Sequence, residues 1–587
     1  MDRLESFRRE YELAKRLTGD KVIKMYSLDS FDNSLAIVME DFGGKSLADI
    51  LKTHNISFED KLIISIDIAD AIMQIHKQKV IHKDINPSNI LYNMDTKQLK
   101  IIDFGISTDL NTEKPQNLFI LEGTLPYISP EQTGKVNRVI DYRSDYYSLG
   151  VTLYEIFTGK LPFSGDNMEI AYSHIAKMPK EPKLINNEIP KAVSDIIMKL
   201  IAKNAEDRYQ SIPGLMHDLS YCLENLESRQ KLINFKAAQN DFSDRFQIPQ
   251  KLYDREKEFE ILKNAIETLD SSPMKLLLVT GYSGIGKTTV INELHKVIAR
   301  KGYHFISGKF NKIQKNNPYS AISDALRELI RKINTEYKYI EKWKEDLTKA
   351  LGTNAKIIMD LIPELLQIIG KQPQISKLSP NEEKNRFLMV FREFIGVFAK
   401  KEHPLVIFLD DLQWCDFSTI ELLKYIINTI ENGSLLIIGA YRNNEVSEDH
   451  PLLIMENDFK SISGNEGIIE EILLEPLPEH IVNQMVADTL KCHYSDTYML
   501  TNYIYRKTKG NPFFTVQLLN SLYQKGAFTF DYDKHTWNWN LEELDEIHIS
   551  DNVVELLIQS LNTLPLNSLK ILKKASCIGN SFDLKTL

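Results

Sequence analysis

The sequence predicts a multidomain chain, with an α+β domain first, an α/β domain on a parallel sheet second, and a largely helical part last. Three observations predict it. A length of 587 residues corresponds to roughly three or four domains, each large enough to bury a core. Short strand-like runs and long helical patterns open the chain, whereas Lys275–Thr280, Leu405–Leu409 and Leu435–Ala440 are apolar runs bounded by glycine or acidic residues, as buried parallel strands are. A polar stretch lies between the two kinds of pattern. It divides the chain into 1–223, an exposed linker 224–247, a second domain 248–475, and a final part 476–587.

The elements follow in order. Leu4, Phe7, Tyr11, Ala14 and Leu17 recur at the period of one helix face. Strands are expected at Val22–Leu28 and Leu35–Glu40, the second ending in the turn residues DFGG. Helical patterns occupy Leu47–His76 and Tyr146–Thr158, then the polar stretch Pro318–Lys401, then most of the chain after Pro476. In TWNWN, Trp537 and Trp539 alternate with polar residues as in a half-buried hairpin. His76, His82 and His174 have no metal-ligand spacing and read as structural.

Composition excludes several classes. A hydrophobic fraction of 43% with 26% charged residues excludes a disordered chain, and a net charge of −10 argues against a nucleic-acid surface spread over the molecule. Cys222, Cys415, Cys492 and Cys577 lie far apart, which argues against a disulfide framework and a structural zinc site. No apolar run approaches the ~18 residues of a membrane span, so a cytoplasmic protein is expected.

Two motif sets carry the chemistry. In HKDINPSNIL, Asp84 is placed to accept a hydroxyl proton and Asn89, five residues on, to face a metal; Asp103 opens DFG and would hold magnesium against ATP phosphates. In the middle of the chain GYSGIGKTT follows a strand-like run and fits the phosphate-cradling pattern GxxxxGK[ST]. Gly281, Ser283, Gly284, Gly286, Lys287, Thr288 and Thr289 form the expected nucleotide site, with Lys287 reaching the terminal phosphates and Thr288 the Mg2+. LVIFLDD then supplies Asp410 for the metal and Asp411 to polarise an attacking water.

On these motifs, together with GTLPYISPE, DYRSDYYSLG and EDRYQS, residues 1 to about 220 resemble a eukaryotic-type serine/threonine protein kinase entered at its helix C. The resemblance implies that Glu10 is the ion-pairing glutamate and that Arg208 pairs with Glu131. It also exposes departures. No lysine precedes Lys15 and no glycine precedes Gly19, so the Gly-rich loop and the lysine strand have no counterpart; HKD replaces HRD, and Asn86 stands where such kinases place a lysine. Little kinase activity is therefore expected of the chain beginning at Met1.

LYDREKEFEIL, DDLQW, IIGAYRNNE and KGNPFF make about residues 248 to 587 similar to the STAND ATPases of AAA type. That similarity implies that Arg255 and Glu256 border the adenine, Arg442 senses the γ-phosphate, Pro512 packs near the base, and the chain ends in a winged-helix-like region. The order of modules resembles bacterial sensors that join a kinase, a STAND ATPase, and GAF and histidine-kinase modules, here truncated at both ends. Two functions are expected: a kinase-type signalling protein with an ATP-binding switch, or a pseudokinase scaffold reporting the ATPase's nucleotide state. The expected partners are protein substrates or downstream signalling proteins and a nucleotide-dependent oligomer, with neither nucleic acid nor membrane.

Overall fold

The computed structural model describes residues 3–31, 34–109, 123–134, 138–226, 228, 232, 234–242, 245–269, 275–312, 318–335, 340–429, 434–461, 469–531, 536–540, 561 and 564–578. They form two compact units, one running to Phe246 and one beginning at Gln247.

The first unit opens with helix α1 (Arg3–Arg16) and a hairpin of β1 (Met25–Phe31) and β2 (Ser34–Met39). β1 begins three residues later than its apolar pattern predicts, because Val22 instead bridges to Ile101. The expected helix over Leu47–His76 is two helices, α2 (Leu47–Thr53) and α3 (Phe58–Lys77). Ser57 restarts the second by accepting the Asp60 N–H at 3.0 Å, an N-cap that separates two patterns of the same period. Helix α4 (Arg143–Thr158) is buried on nearly every face and forms the centre of the unit. Behind it lie α5 (Lys191–Leu200) and α6 (Ile212–Glu224).

The stretch expected to be an exposed linker is instead tied to this first unit. Leu232 is 4% exposed within the core. Asp241 accepts the N–H groups of Gln210 (2.6 Å) and Ser211 (2.8 Å), Asp218 accepts that of Ala238 (2.7 Å), and the Arg245 guanidinium lies 4.1 Å from the Tyr142 ring centre. The polarity that reads as solvent exposure supplies these anchoring groups.

The second unit is built on five parallel strands, β3 (Lys275–Thr280), β4 (His304–Lys309), β5 (Leu405–Asp410), β6 (Leu435–Tyr441) and β7 (Ile469–Leu473), in spatial order β7-β3-β6-β5-β4. Alternation sorts their side chains: Leu276 and Leu278 enter one core with Phe391, Phe394 and Phe398, and Leu277 and Val279 enter the other with Leu262 and Ile266. Both faces are covered, which explains why these strands read as continuous apolar runs. The segment after β7 contains α7 (Glu479–Leu490), α8 (Tyr494–Thr508) and α9 (Pro512–Gln524), followed by a hairpin that pairs Phe528 with Trp539 and Phe530 with Trp537. Trp537 is buried and Trp539 half-buried. Much of the winged-helix-like region, including 541–560 and 579–587, lies outside the described residues. Among the described residues no helix is long and apolar enough to cross a membrane.

Candidate functional site

Each unit gathers one of the two motif sets. In the first, Asp145 near the start of α4 is fully buried and accepts the N–H groups of His82 (2.9 Å) and Lys83 (2.7 Å), with His76 Nε2 at 2.7 Å. Burial alone would push this carboxyl up, but the His76 hydrogen bond and charge and the His82 amide hold it below its ordinary range. The anchor matters because Lys83 has φ 69°, a left-handed backbone costly for a residue with a side chain.

The turn presents Asp84. Its Oδ1 accepts the Thr124 N–H at 2.8 Å and its Oδ2 the Asn89 side-chain amide at 3.0 Å. With that nitrogen on Asp84, the Asn89 amide oxygen is the atom offered to a metal. Asp103 is exposed, with φ 67°, and its Oδ1 accepts the Gly105 N–H at 3.2 Å. An amide oxygen and a carboxylate are hard donors of the kind Mg2+ takes, so these residues fit that ion. Glu10 faces the same turn: burial and then the neighbouring Asp103 push its carboxyl up, partly offset by the Phe104 N–H. Asn86 is used within the loop, its side chain donating to the Asp84 carbonyl (3.1 Å) and Thr124 Oγ (3.3 Å).

Arg208 and Glu131 meet as the resemblance implies, at 2.7 and 2.9 Å through two nitrogens. Burial would raise the Glu131 carboxyl, but the Arg208 guanidinium holds it at about 2.

In the second unit the phosphate loop leaves the C-terminal end of β3. Gly281, Gly284 and Gly286 have φ of 145°, 76° and 101°, a succession of conformations open to glycine that bends the backbone into a cradle. Lys287 is 7% exposed and donates to the carbonyls of Gly281 (2.7 Å) and Tyr282 (2.9 Å). Burial and then Arg442 push its ammonium down to about 8, while Asp410 and Asp411 oppose the shift. Thr288 Oγ lies 3.5 Å from Asp410 Oδ2, bringing together the two oxygens assigned to the metal. The cradle, the cation and this oxygen pair fit a nucleotide phosphate with Mg2+. Ser283 is exposed on the loop and Thr289 is exposed in the helix Lys287–Glu293 that follows it.

Asp410 ends β5, and Asp411 turns the chain with φ 57°. Asp411 Oδ1 accepts from Gln413 Nε2 at 2.9 Å and lies 3.5 Å from Arg442 Nε. Arg442 also pairs with Glu445 at 2.6 Å and lies over the Trp414 ring. The structure thus brings Lys287, Thr288, Asp410, Asp411 and Arg442 to one edge of the sheet. Arg255 donates to the carbonyls of Asp254 (2.9 Å) and Glu475 (2.5 Å).

Three residues here escape sequence reasoning. Lys309, the last residue of β4, sets its ammonium 3.1 Å from Asp410 and 3.0 Å from Asp411. Gln413 joins Asp411 to the Arg442 N–H, which it accepts at 3.2 Å. Asn511 donates to the Ser283 carbonyl at 2.9 Å, beside a bond of 3.2 Å from Phe513 N–H to the Gly284 carbonyl. The turn before them needs Gly510, where a Cβ would stand 2.0 Å from the Leu477 carbonyl oxygen. An Asn before Pro at a helix start was the available signal for Asn511; nothing in the periodicity marks Lys309.

Residues 1–219 match the family described as Protein kinase domain, and residues 251–438 match AAA ATPase domain. The chain carries a protein kinase domain followed by an AAA ATPase domain. It is similar to hybrid signal transduction histidine kinase G of Dictyostelium discoideum, at 32% identity over 83% of this chain and 17% of that protein. A probable serine/threonine-protein kinase of Clostridium perfringens is 35% identical over 36% of this chain and 31% of its own length. A peroxide stress-activated histidine kinase of Schizosaccharomyces pombe is 25% identical over 78% of this chain and 23% of its own length. The chain therefore spans less than a third of each of these relatives.

Proposed function

We propose that this chain is a signalling protein in which a serine/threonine kinase-type domain is governed by an ATP-binding STAND switch. The observation that carries the reading is the convergence of Lys287, Thr288, Asp410, Asp411 and Arg442 at the end of the parallel sheet. Lys287 and the glycine cradle bind the phosphates, Thr288 and Asp410 hold the metal, and Asp411 orients water. Arg442 reads the terminal phosphate. Mg2+ supplies charge neutralisation there. Asn511 and Phe513 are bonded to the phosphate loop, so a change in that loop is passed to α9. In the kinase domain Asp84 accepts the proton of a protein hydroxyl while Asn89 and Asp103 hold the metal of a second ATP. The names of two relatives, signal transduction and peroxide stress, support a signalling role.

A specific observation favours a second reading, the pseudokinase scaffold. Asn86 spends its amide on the loop, on the Asp84 carbonyl and Thr124 Oγ.

Phosphate incorporation into a generic protein substrate separates the two. Transfer abolished by Asp84→Asn and altered by Lys287→Ala supports the switch-governed kinase. No transfer with intact ATP binding in the second domain supports the scaffold. Transfer indifferent to Lys287→Ala overturns the coupling.

A further inference from the structure

Lys309 is the cation in the ATPase site that the reading above leaves without a task. It ends β4, whose pairing with β5 sets Lys309 directly beside Asp410. The register therefore sets the Lys309 backbone beside the acidic pair, within reach of its side chain. Its Nζ lies 3.1 Å from Asp410 Oδ2, the same oxygen that lies 3.5 Å from Thr288 Oγ, and 3.0 Å from Asp411 Oδ2. The ammonium thus shares with Thr288 the oxygen that a divalent metal would need. Its side chain is 52% exposed, while Asp410 and Asp411 are 10% and 6% exposed. The two carboxylates are fixed in the wall, and the lysine is a flexible stem free to leave them.

We propose that Lys309 is a specificity residue of this site: it competes with the divalent metal for Asp410 and, once displaced, turns to the terminal phosphate. The inference rests on the ATPase reading and deepens it. A metal arriving alone must displace a tethered cation from the Asp410 carboxylate, leaving that ammonium with Asp411 alone. A metal arriving on a triphosphate brings a new anion for it. Lys309 accordingly ties metal entry to a nucleotide with a terminal phosphate, and ADP satisfies it less well than ATP. Arginine keeps the charge at this position; methionine keeps the stem and removes it.

The test uses the full chain. Mn2+ binding without nucleotide is followed by electron paramagnetic resonance, and binding of fluorescent ATP and ADP analogues with Mg2+ by anisotropy. Lys309→Met is expected to bind Mn2+ about tenfold more tightly than wild type and to lose about fivefold in its preference for the ATP over the ADP analogue, as expected for one removed charge. Lys309→Arg should stay close to wild type in both. The Mn2+ gain should vanish when Asp410→Asn is added to Lys309→Met, which assigns it to this carboxylate rather than to the kinase domain. An unchanged Mn2+ affinity in Lys309→Met, or a gain that survives Asp410→Asn, overturns the inference. Either result leaves the ATPase reading standing provided Lys287→Ala weakens binding of the ATP analogue. Undiminished binding in Lys287→Ala removes that reading and this inference with it.

Discussion

Each unit sets a cation against carboxylate near its candidate site, and the two arrangements differ in exposure. Arg208 and Glu131 are sealed, at 0% and 3% exposed, and the guanidinium spends its remaining donors on the carbonyls of Ala202, Lys203 and Arg143. Lys309 is half open above Asp410 and Asp411. A sealed pair cannot exchange partners without unfolding its surroundings, so it holds a segment in place. An open pair exchanges partners with whatever enters, so it is suited to a ligand. The same chemistry becomes architecture in one unit and equipment in the other because of solvent access.

The largest effect is expected from breaking the sealed pair. Arg208→Ala strands a buried carboxylate and should cost the first unit about 3–5 kcal/mol, read from its chemical denaturation midpoint. Lys309→Met should cost the second unit under about 1 kcal/mol. Equal losses would erase the contrast.

Asp411→Asn comes next. It keeps the shape that Gln413 and the β5 turn hold, but removes the charge that orients water, so ATP hydrolysis should fall about a hundredfold, or about 2.7 kcal/mol, with nucleotide still bound. Phosphate release measured beside equilibrium binding checks both halves. Unchanged turnover would return Asp411 to a structural strand end.

Lys287→Ala should weaken ATP binding about tenfold, or about 1.4 kcal/mol, since it removes the one side-chain cation threaded through the cradle while leaving the glycine backbone. Fluorescent-analogue titration at fixed Mg2+ measures it. Undiminished affinity would mean that the cradle does not hold phosphates.

What the sequence made legible follows the range of the interactions. The strands β3, β5 and β6 and the loop from Gly281 to Thr289 were readable because their pattern is local: an apolar run, then glycines at fixed spacing. The meeting of Asp84 and Asn89 is legible for the same reason. Lys309 was not, because it reaches Asp410 only through the pairing of strands separated by 95 residues between β4 and β5. The tie of Asp241 and Arg245 to the first unit escapes the sequence because polar side chains that bond to a neighbouring loop look in sequence like polar side chains that face water. The Ser57 break was missed because apolar periodicity runs through it.

The smallest effect sharpens the comparison from inside the first unit, where Lys203 is a half-buried cation placed against rings and a carbonyl. Its ammonium lies 4.6 Å from the Phe163 ring centre and donates to Tyr147 Oη (3.1 Å) and the Ser173 carbonyl (3.0 Å). Burial, and then the charge of Arg208, push it down to about 7. An unfolded lysine titrates near pH ~10.4, so between about 7 and that value the unfolded chain holds a proton that the native chain has released. Stability then rises with pH across this window and is flat below it, where both states are charged. Wild type should gain about 1 kcal/mol relative to Lys203→Met between pH 7 and pH 9, the shift being discounted for partial exposure. Lys309, held by two carboxylates that raise its affinity for a proton against burial, should show no such slope in the same window. Thermal melts of Lys203→Met and Lys309→Met across that range decide it, and parallel curves for wild type and Lys203→Met would mean that the ring cage leaves the ammonium charged.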